Sequence, residues 1–401
     1  MPGPLHGIRI IDFTTMIAGP YATMILADQG ADVIKVEAPV RSDHVRRAGY
    51  GQREFTAAFL NNNRNKRSLS LDVKQDAGRS VLMKLAATAD VFVQNFRPGV
   101  MARLGIDYDD LKAVNPRLIY VSMSGWGETG PYAHKPVYDP IIQALSGLAS
   151  VQGGSDEARP RLIRTIVPDK VTGITAAQAV SAALFARERT GEGQHVRLSM
   201  LDSVVAFLWS SDMGGQTFVG REVSVSRAAT FIDLIYETLD GYISVSVMSN
   251  DQWEGLCHAV GHPEWLHDDR FRTPAGRDRH ANERLELTQS ALLERSAEEW
   301  LRILDEAGVP CAPVLHRHQM IAHPQVQATG IVTESEHPHA GRIRQARNAA
   351  RFEGTPAELR MGAPHLGEHT RALLRELGYD DDSQQALLDG GIVSSLHAVD
   401  A

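Results

Sequence analysis

The chain has 401 residues, 43% of them hydrophobic and 22% charged, with a formal net charge of −8; this is the composition of a soluble globular protein too long for one core, so two or three domains are expected. The acidic balance, with no concentrated basic face, excludes a nucleic-acid partner, and two cysteines outside any Cys-x-x-Cys pair, Cys257 and Cys311, exclude a disulfide scaffold and a thiolate zinc site and suit a reducing compartment. No signal-peptide pattern opens the chain, and its longest apolar helical stretch, 176–186, is far below the ~20 residues of a membrane span, so the expectation is a cytoplasmic protein with no membrane partner.

Residues 7–13 (GIRIIDF) predict a buried strand, 20–29 a helix stopped at Gly30, and 33–36 a second strand ended by Pro39. Further strands are expected at 68–71, 90–94, 118–122 and 195–198, with helices at 76–88, 172–189 and from 201 to 209. Strands alternating with helices predict a parallel sheet with helices on both faces and right-handed crossovers. The large α/β domain is expected to occupy 1–210, followed by a linker at 211–230. A smaller α+β domain is expected at 231–323, with a strand at 242–247 and a helix at 297–307. A return linker at 324–350, rich in His, Arg and Gly, leads to 351–401, which contains a helix at 366–377.

The opening βαβ pattern suggests a dinucleotide site, but the turn 14–20 (TTMIAGP) has one glycine where a Gly-x-Gly-x-x-Gly turn is required. Glu37 stands where a ribose-binding acid would stand, and alone it does not restore a nicotinamide reading. Sixteen histidines include the pairs His316/His318 and His337/His339, plus His365 and His369. None falls in a His-Glu-x-x-His motif, so these read as solvated loop histidines and no metal is expected. Asp169, in VPDKVTGITAAQ, reads as the N-cap of the 172–189 helix. A carboxylate there is kept ionised by the helix dipole and is also a usable nucleophile; the local sequence does not choose between the two roles. Asn95-Phe96-Arg97-Pro98-Gly99 follows a strand at the edge where open α/β sheets bind ligands. With Lys66, Arg67, Lys74 and Arg103 it reads either as a phosphate-holding set or as ordinary basic surface.

Nine ordered blocks then give a more specific signal: GIRIIDFTTMIAGPYAT, GADVIKVE, NKRSLSLDVK, DVFVQNFRPG, SGWGETGP, VYDPIIQALSGL, PDKVTG, RERTGEGQHVRLSMLDS and LGEHT. Together they resemble the family III CoA-transferases (the CaiB/BaiF family), densely over 5–205, sparsely to about 330, and again at 364–378. The resemblance implies a Rossmann-like large domain whose parallel sheet is built from both chain ends, a smaller α+β domain, and an interlocked, ring-like homodimer. It implies an acyl-CoA:carboxylate CoA-transferase, with succinyl-CoA a first guess for the donor. Coenzyme A and acyl-CoA would be substrates, small carboxylic acids the partners, and no cofactor tightly bound. By position it makes Asp169 the catalytic nucleophile. The CoA contacts it implies are Ile17, Ala18, Leu71, Lys74, Asn95, Phe96, Arg97, Arg103 and Tyr138. Ile17, Ala38 and Pro136 depart from the glutamine, arginine and lysine of formyl-CoA transferase, and that enzyme's glycine-rich lid has no counterpart at 210–260. Formate and oxalate specificity is therefore not implied, and Arg41 or Lys135 is offered for a lost phosphate contact. The alternative on the same scaffold is an α-methylacyl-CoA racemase. It is disfavoured because Val137-Tyr138-Asp139 replaces that enzyme's Gly-His-Asp, and tyrosine is a poor base at neutral pH. Tyr236, Met248, Asn250 and Gln252 are the expected walls of the acceptor pocket, and the acids exchanged are not legible.

Overall fold

The structure, a computed structural model, describes residues 2–52, 55–154, 157–223 and 234–396. The later part of the expected linker at 211–230, the first residues of the small domain and the end of the 351–401 segment lie outside the described residues. Two compact units result, one of 1–149, 162–213 and 330–401, the other of 150–161 and 214–329.

In strand β1 (Arg9–Phe13), Ile10 and Ile11 point to opposite faces and both are fully buried. A strand buried on both faces belongs inside a parallel sheet covered by helices. It pairs in parallel with β2 (Asp32–Glu37) on one side and with β4 (Val91–Gln94) on the other. Strand β3 (Lys66–Leu71) lies beyond β2; β5 (Ile119–Ser124) and β6 (His195–Ser199) lie beyond β4. A hairpin of β7 (Val332–His337) and β8 (Gly341–Ala346) stands apart. Near the chain end, β9 (Val393–Ser394) adds antiparallel to β3, so both chain ends contribute to the seven-stranded sheet, in the order β9-β3-β2-β1-β4-β5-β6. The order reverses between β1 and β4, and ligands of open α/β sheets bind outside the carboxyl ends of the strands at such a switch point.

Helices α1 (Ala18–Asp28), α2 (Asp76–Ala87), α3 (Val100–Leu104), α4 (Asp139–Leu145), α5 (Val167–Thr190), α6 (Met200–Trp209) and α7 (Thr370–Glu376) belong to the same unit. One face of the sheet buries Ile10, Val33, Val91 and Val121 against Leu26 of α1 and Val180 of α5. The other buries Ile11, Ile34, Phe92 and Tyr120 with Leu82 and Leu85 of α2 and Leu373 and Leu374 of α7. Helix α5 begins five residues before the expected 172 because Pro168 is tolerated in a first helical turn, where its missing N–H is not needed. Helix α7 begins at 370 rather than 366 because Gly367, at φ +70°, turns the chain first.

The segment expected to be a return linker is folded: Pro324–Thr329 is helical, and 332–346 form the hairpin. One of its two histidines is not solvated. His337 is buried, donates from Nε2 to Ala363 O (2.9 Å), and accepts at Nδ1 from the backbone N–H groups of His339 and Ala340. Burial holds its pKa below the usual value. Among the described residues, no group of three His, Cys, Asp or Glu is placed to hold a metal, and no helix is long and apolar enough to cross a membrane.

The second unit has a three-stranded antiparallel sheet with Tyr242–Val245 between Ile235–Glu237 and Cys311–Pro313. Its core holds Ile243, Trp253, Phe271 and Trp300. Three of the expected pocket walls have other tasks there. Tyr236 is buried in this core, Asn250 accepts from Arg277 (2.6 Å), and Gln252 closes a capping box with Ser249.

Helices α1 and α5 cross closely at Gly173, where a Cβ would stand 2.9 Å from both Ala18 O and Tyr21 Cδ1. Backbone lies on one side of that contact, so it does not relax cheaply. Gly173→Ala is expected to cost about 1–3 kcal/mol, read as a lower urea midpoint; an unchanged midpoint would show that the crossing is loose.

Candidate active site

The turn after β1 is held by buried charge. Asp12, fully buried, accepts from Lys66 Nζ (2.8 Å), from Thr23 Oγ1 (2.8 Å) and from the Thr14 N–H (3.0 Å). Burial alone would raise its pKa; Lys66 and Lys35 overcome that and hold it at about 2. Lys35 donates to Thr14 O and to Asp43 Oδ2, both at 3.0 Å. Asp43 Oδ1 accepts the Met16 N–H (3.1 Å), and Asn95 brackets Thr15 with one bond to its N–H (3.0 Å) and one from Nδ2 to its carbonyl (2.8 Å). Met16 is thereby kept at φ +69°, a conformation disfavoured for a residue with a side chain. Glu37 is committed to Arg46 (2.6 Å), which removes the ribose-binding reading.

The turn ends at Ala18, whose N–H donates to Asp169 Oδ1 (3.2 Å). Asp169 is not the N-cap. Ile166 holds that place without a side-chain bond, and Asp169 lies in the first turn of α5. Nor does the helix dipole dominate its ionisation. Burial and the nearby Asp139 charge push its pKa up to about 6, with the Ala18 N–H pulling the other way. At pH 7 the ionised form still leads by roughly ten to one.

A cavity of about 470 Å³ opens here, at the carboxyl ends of β1, β4 and β5. Ile17, Ala18, Asn95, Phe96, Arg97, Tyr138 and Asp169 all line it. Lys135 lines it too, with its ammonium 3.4 Å from the centre of the Tyr132 ring, whereas Arg41 does not. Leu71, Lys74 and Arg103 are outside this lining. Leu71 is buried in the core and has no side-chain surface to offer, while Lys74 and Arg103 are exposed.

Two features escaped the sequence reading. Asp139, buried at the start of α4, shares the cavity with Asp169. The sequence reading named it only in the comparison of Val137-Tyr138-Asp139 with Gly-His-Asp and gave it no role. A relay also runs from the sheet interior to the cavity loop: His195 Nε2 meets Ser122 Oγ (2.8 Å), Gln94 Nε2 donates to Ser122 Oγ (3.0 Å), and Gln94 Oε1 accepts the Phe96 N–H (2.8 Å). Strand pairing creates that relay, and no local pattern announces it.

Comparison with known proteins gives a consistent result. The family description CoA-transferase family III matches residues 5–370. Succinyl-CoA:glutarate CoA-transferase of Mus musculus is 34% identical over 399 residues, 97% of this chain and 90% of that protein. Formyl-CoA:oxalate CoA-transferase of Shigella sonnei is 32% identical, over 96% of this chain and 99% of that protein. A crystal structure of a CAIB/BAIF family protein from Brucella suis superposes with a TM-score of 0.81 at 31% identity, covering 94% of this chain and 100% of that one.

The raised pKa of Asp169 has a stability consequence. Between the ordinary 3.8 and about 6 the folded state keeps a proton that the unfolded state has lost, so stability falls as pH rises through this window. Asp169→Asn is expected to melt higher than the wild type above pH 6, with the gain shrinking to nothing below pH ~4. Melting curves of the two proteins across pH check this; a constant difference would remove the assigned cause.

Proposed function

Since the chain belongs to CoA-transferase family III and is a CoA-transferase, we propose that it moves coenzyme A from an acyl-CoA donor to a free carboxylic acid with Asp169 as the nucleophile. The observation that carries this reading is the placement of Asp169: a half-buried carboxylate, facing a backbone N–H, in the cavity at the sheet's switch point.

Asp169 attacks the donor carbonyl, the C–S bond breaks, and CoA leaves as thiolate while a mixed anhydride forms. The thiolate attacks the aspartyl carbonyl and expels the donor acid, giving an enzyme thioester. The acceptor carboxylate attacks that thioester and releases the thiolate. The thiolate then takes the acceptor acyl group and restores the Asp169 carboxylate. No proton is consumed, so the acyl activation is retained provided water is kept out. The Ala18 N–H already donates to the oxygen that becomes the oxyanion when the aspartyl carbonyl is attacked. Such a donor is worth ~3–4 kcal/mol. It comes from the start of α1.

The relatives named as succinyl-CoA:glutarate CoA-transferases support succinyl-CoA as donor and a short dicarboxylate as acceptor. Lys135 and Arg97 supply positive charge at the cavity for such an acid. The exposed Lys74 and Arg103 are assigned to the phosphates of CoA. An interlocked homodimer belongs to the same reading. It is supported by large apolar side chains left exposed on the mutually contacting α4, α5 and α6: Ile141, Leu145, Ile174, Phe185, Phe207 and Trp209.

Asp169→Ala is expected to abolish CoA transfer, measured by mass spectrometry of acyl-CoA products over a donor-by-acceptor panel, while coenzyme A still binds. Retained transfer would refute the nucleophile. Arg103→Ala is expected to weaken CoA more than desphospho-CoA; equal losses would remove Arg103 from the 3′-phosphate.

A further inference from the structure

We propose that Gln94 is a positioning residue for coenzyme A: a hydrogen-bond relay that runs one way, from the Phe96 N–H through Gln94 and Ser122 to an uncharged His195, holds the loop 95–97 in its place on the cavity wall. The inference rests on the reading of the cavity as the CoA thioester site.

Gln94 ends β4, Ser122 lies on β5 and His195 opens β6. Gln94 and Ser122 are register partners, and Tyr120, on the same face as Ser122, pairs with His195. Strand alternation therefore puts the three polar side chains on one face. Gln94 and Ser122 are buried. An N–H can only donate, so the oxygen of the Gln94 amide faces Phe96 (2.8 Å) and its Nε2 faces Ser122 Oγ (3.0 Å). Ser122 Oγ is thus an acceptor from Gln94, and its own hydrogen is left for His195 Nε2 (2.8 Å). The other ring nitrogen, Nδ1, is buried without a partner among the described residues. With a neutral ring protonated at Nδ1, that N–H is the one unpaired group of the relay. A proton on Nε2 strands the Ser122 hydroxyl hydrogen in addition to Nδ1, whether the ring is neutral or charged, and a stranded buried group is costly.

The relay ends at the ligand. Asn95, Phe96 and Arg97 line the cavity, and Gln94 fixes the peptide between the first two. That peptide aims the Asn95 amide at both polar groups of Thr15 and lays the Phe96 ring against Phe13, with ring centres 5.5 Å apart. A loop set in place before the ligand arrives lowers the ordering cost of binding. Several groups face His195. Tyr108 stacks on it at 4.8 Å, with Lys112 5.4 Å from the Tyr108 ring centre, and Tyr120 meets it edge-on at 5.1 Å with its hydroxyl on Ile106 O. Asp107 and Asp109 stand at the start of the helix Tyr108–Val114, and Arg197 pairs with Glu128 (2.7 Å). Burial and Arg197 favour the neutral ring, and the three acids oppose them.

The test measures coenzyme A binding by calorimetry from pH ~8 to ~5, across the histidine range, for the full chain and for Gln94→Met and His195→Gln. Gln94→Met keeps the bulk and removes both bonds; at pH ~8 it is expected to bind coenzyme A about 10-fold more weakly than the wild type. His195→Gln offers Ser122 an acceptor that cannot be charged, so it is expected to lose less affinity on acidification than the wild type. Asp169 and the phosphates of coenzyme A titrate in all three proteins, so the comparison between them carries the result. Nitrogen NMR of the His195 ring reads the direction of the relay: at pH ~8 the wild type is expected to carry its proton on Nδ1. Gln94→Glu, whose carboxylate accepts from both Phe96 and Ser122, is expected to move it to Nε2. Wild-type affinity in Gln94→Met overturns the proposal. A wild-type ring protonated at Nε2, or parallel acid profiles of His195→Gln and the wild type, overturns it even if Gln94→Met fails to fold. Absence of coenzyme A binding to the wild type at every pH instead removes the reading of the cavity itself, and this inference with it.

Discussion

The carboxyl edge of the sheet depends on how the turn Thr14–Ile17 is held. A dinucleotide fold presents glycine N–H groups there to a pyrophosphate. In this chain the N–H groups of Thr14, Thr15, Met16 and Ala18 are directed at Asp12, Asn95, Asp43 and Asp169. The turn is wired to side chains from four other places in the fold, and a phosphate would find those donors occupied. Lys35 closes the arrangement by bridging the Thr14 carbonyl and Asp43. Such a buried ion pair adds little net stability. Losing one partner is expensive, on the order of 3–5 kcal/mol, because the other is left charged and dry. The result of this wiring is geometric: it tolerates a left-handed Met16 and brings the last N–H of the turn onto Asp169.

That N–H and the two cavity carboxylates act in opposite directions. Burial and Asp139 raise the free energy of the ionised Asp169, and the Ala18 N–H lowers it. A carboxylate titrating near 6 remains ionised at neutral pH yet is more basic than a solvated one, which suits the proposed role of Asp169 as a nucleophile that attacks and is later released. The same dryness that raises the pKa would protect the proposed anhydride from water. Strand order puts these groups together: the reversal between β1 and β4 opens the crevice, and the contact at Gly173 lets α1 and α5 approach until Ala18 and Asp169 meet.

Much of the large unit was legible. Ile10, Ile11, Val33 and Ile34 announced buried strands, and the residues of NFRPG fell at a strand end because Val91–Gln94 reads so clearly as a strand. Element ends were less legible, since Pro168 and Gly367 are local exceptions whose outcome depends on neighbouring turns. The histidine-rich segment misled for a different reason. Its composition is that of a linker, but the pairing of β7 with β8 and the burial of His337 against Ala363 are non-local. Leu71, which the family resemblance sets beside the ligand, is packed into the core, and that packing is likewise non-local.

By itself the sequence determined the strand–helix alternation, the absence of a phosphate-binding glycine turn, and the presence of Asp169 at the start of a long helix, because these depend on periodicity and on residue type over short spans. Only the tertiary structure decided that Asp169 stands in the first helical turn facing Ala18, that Asp139 shares its cavity, and that buried Asp12, Lys35 and Asp43 hold the turn between them. Those outcomes depend on the dielectric and geometry created when residues far apart in the chain are packed together, and no local window of sequence contains them.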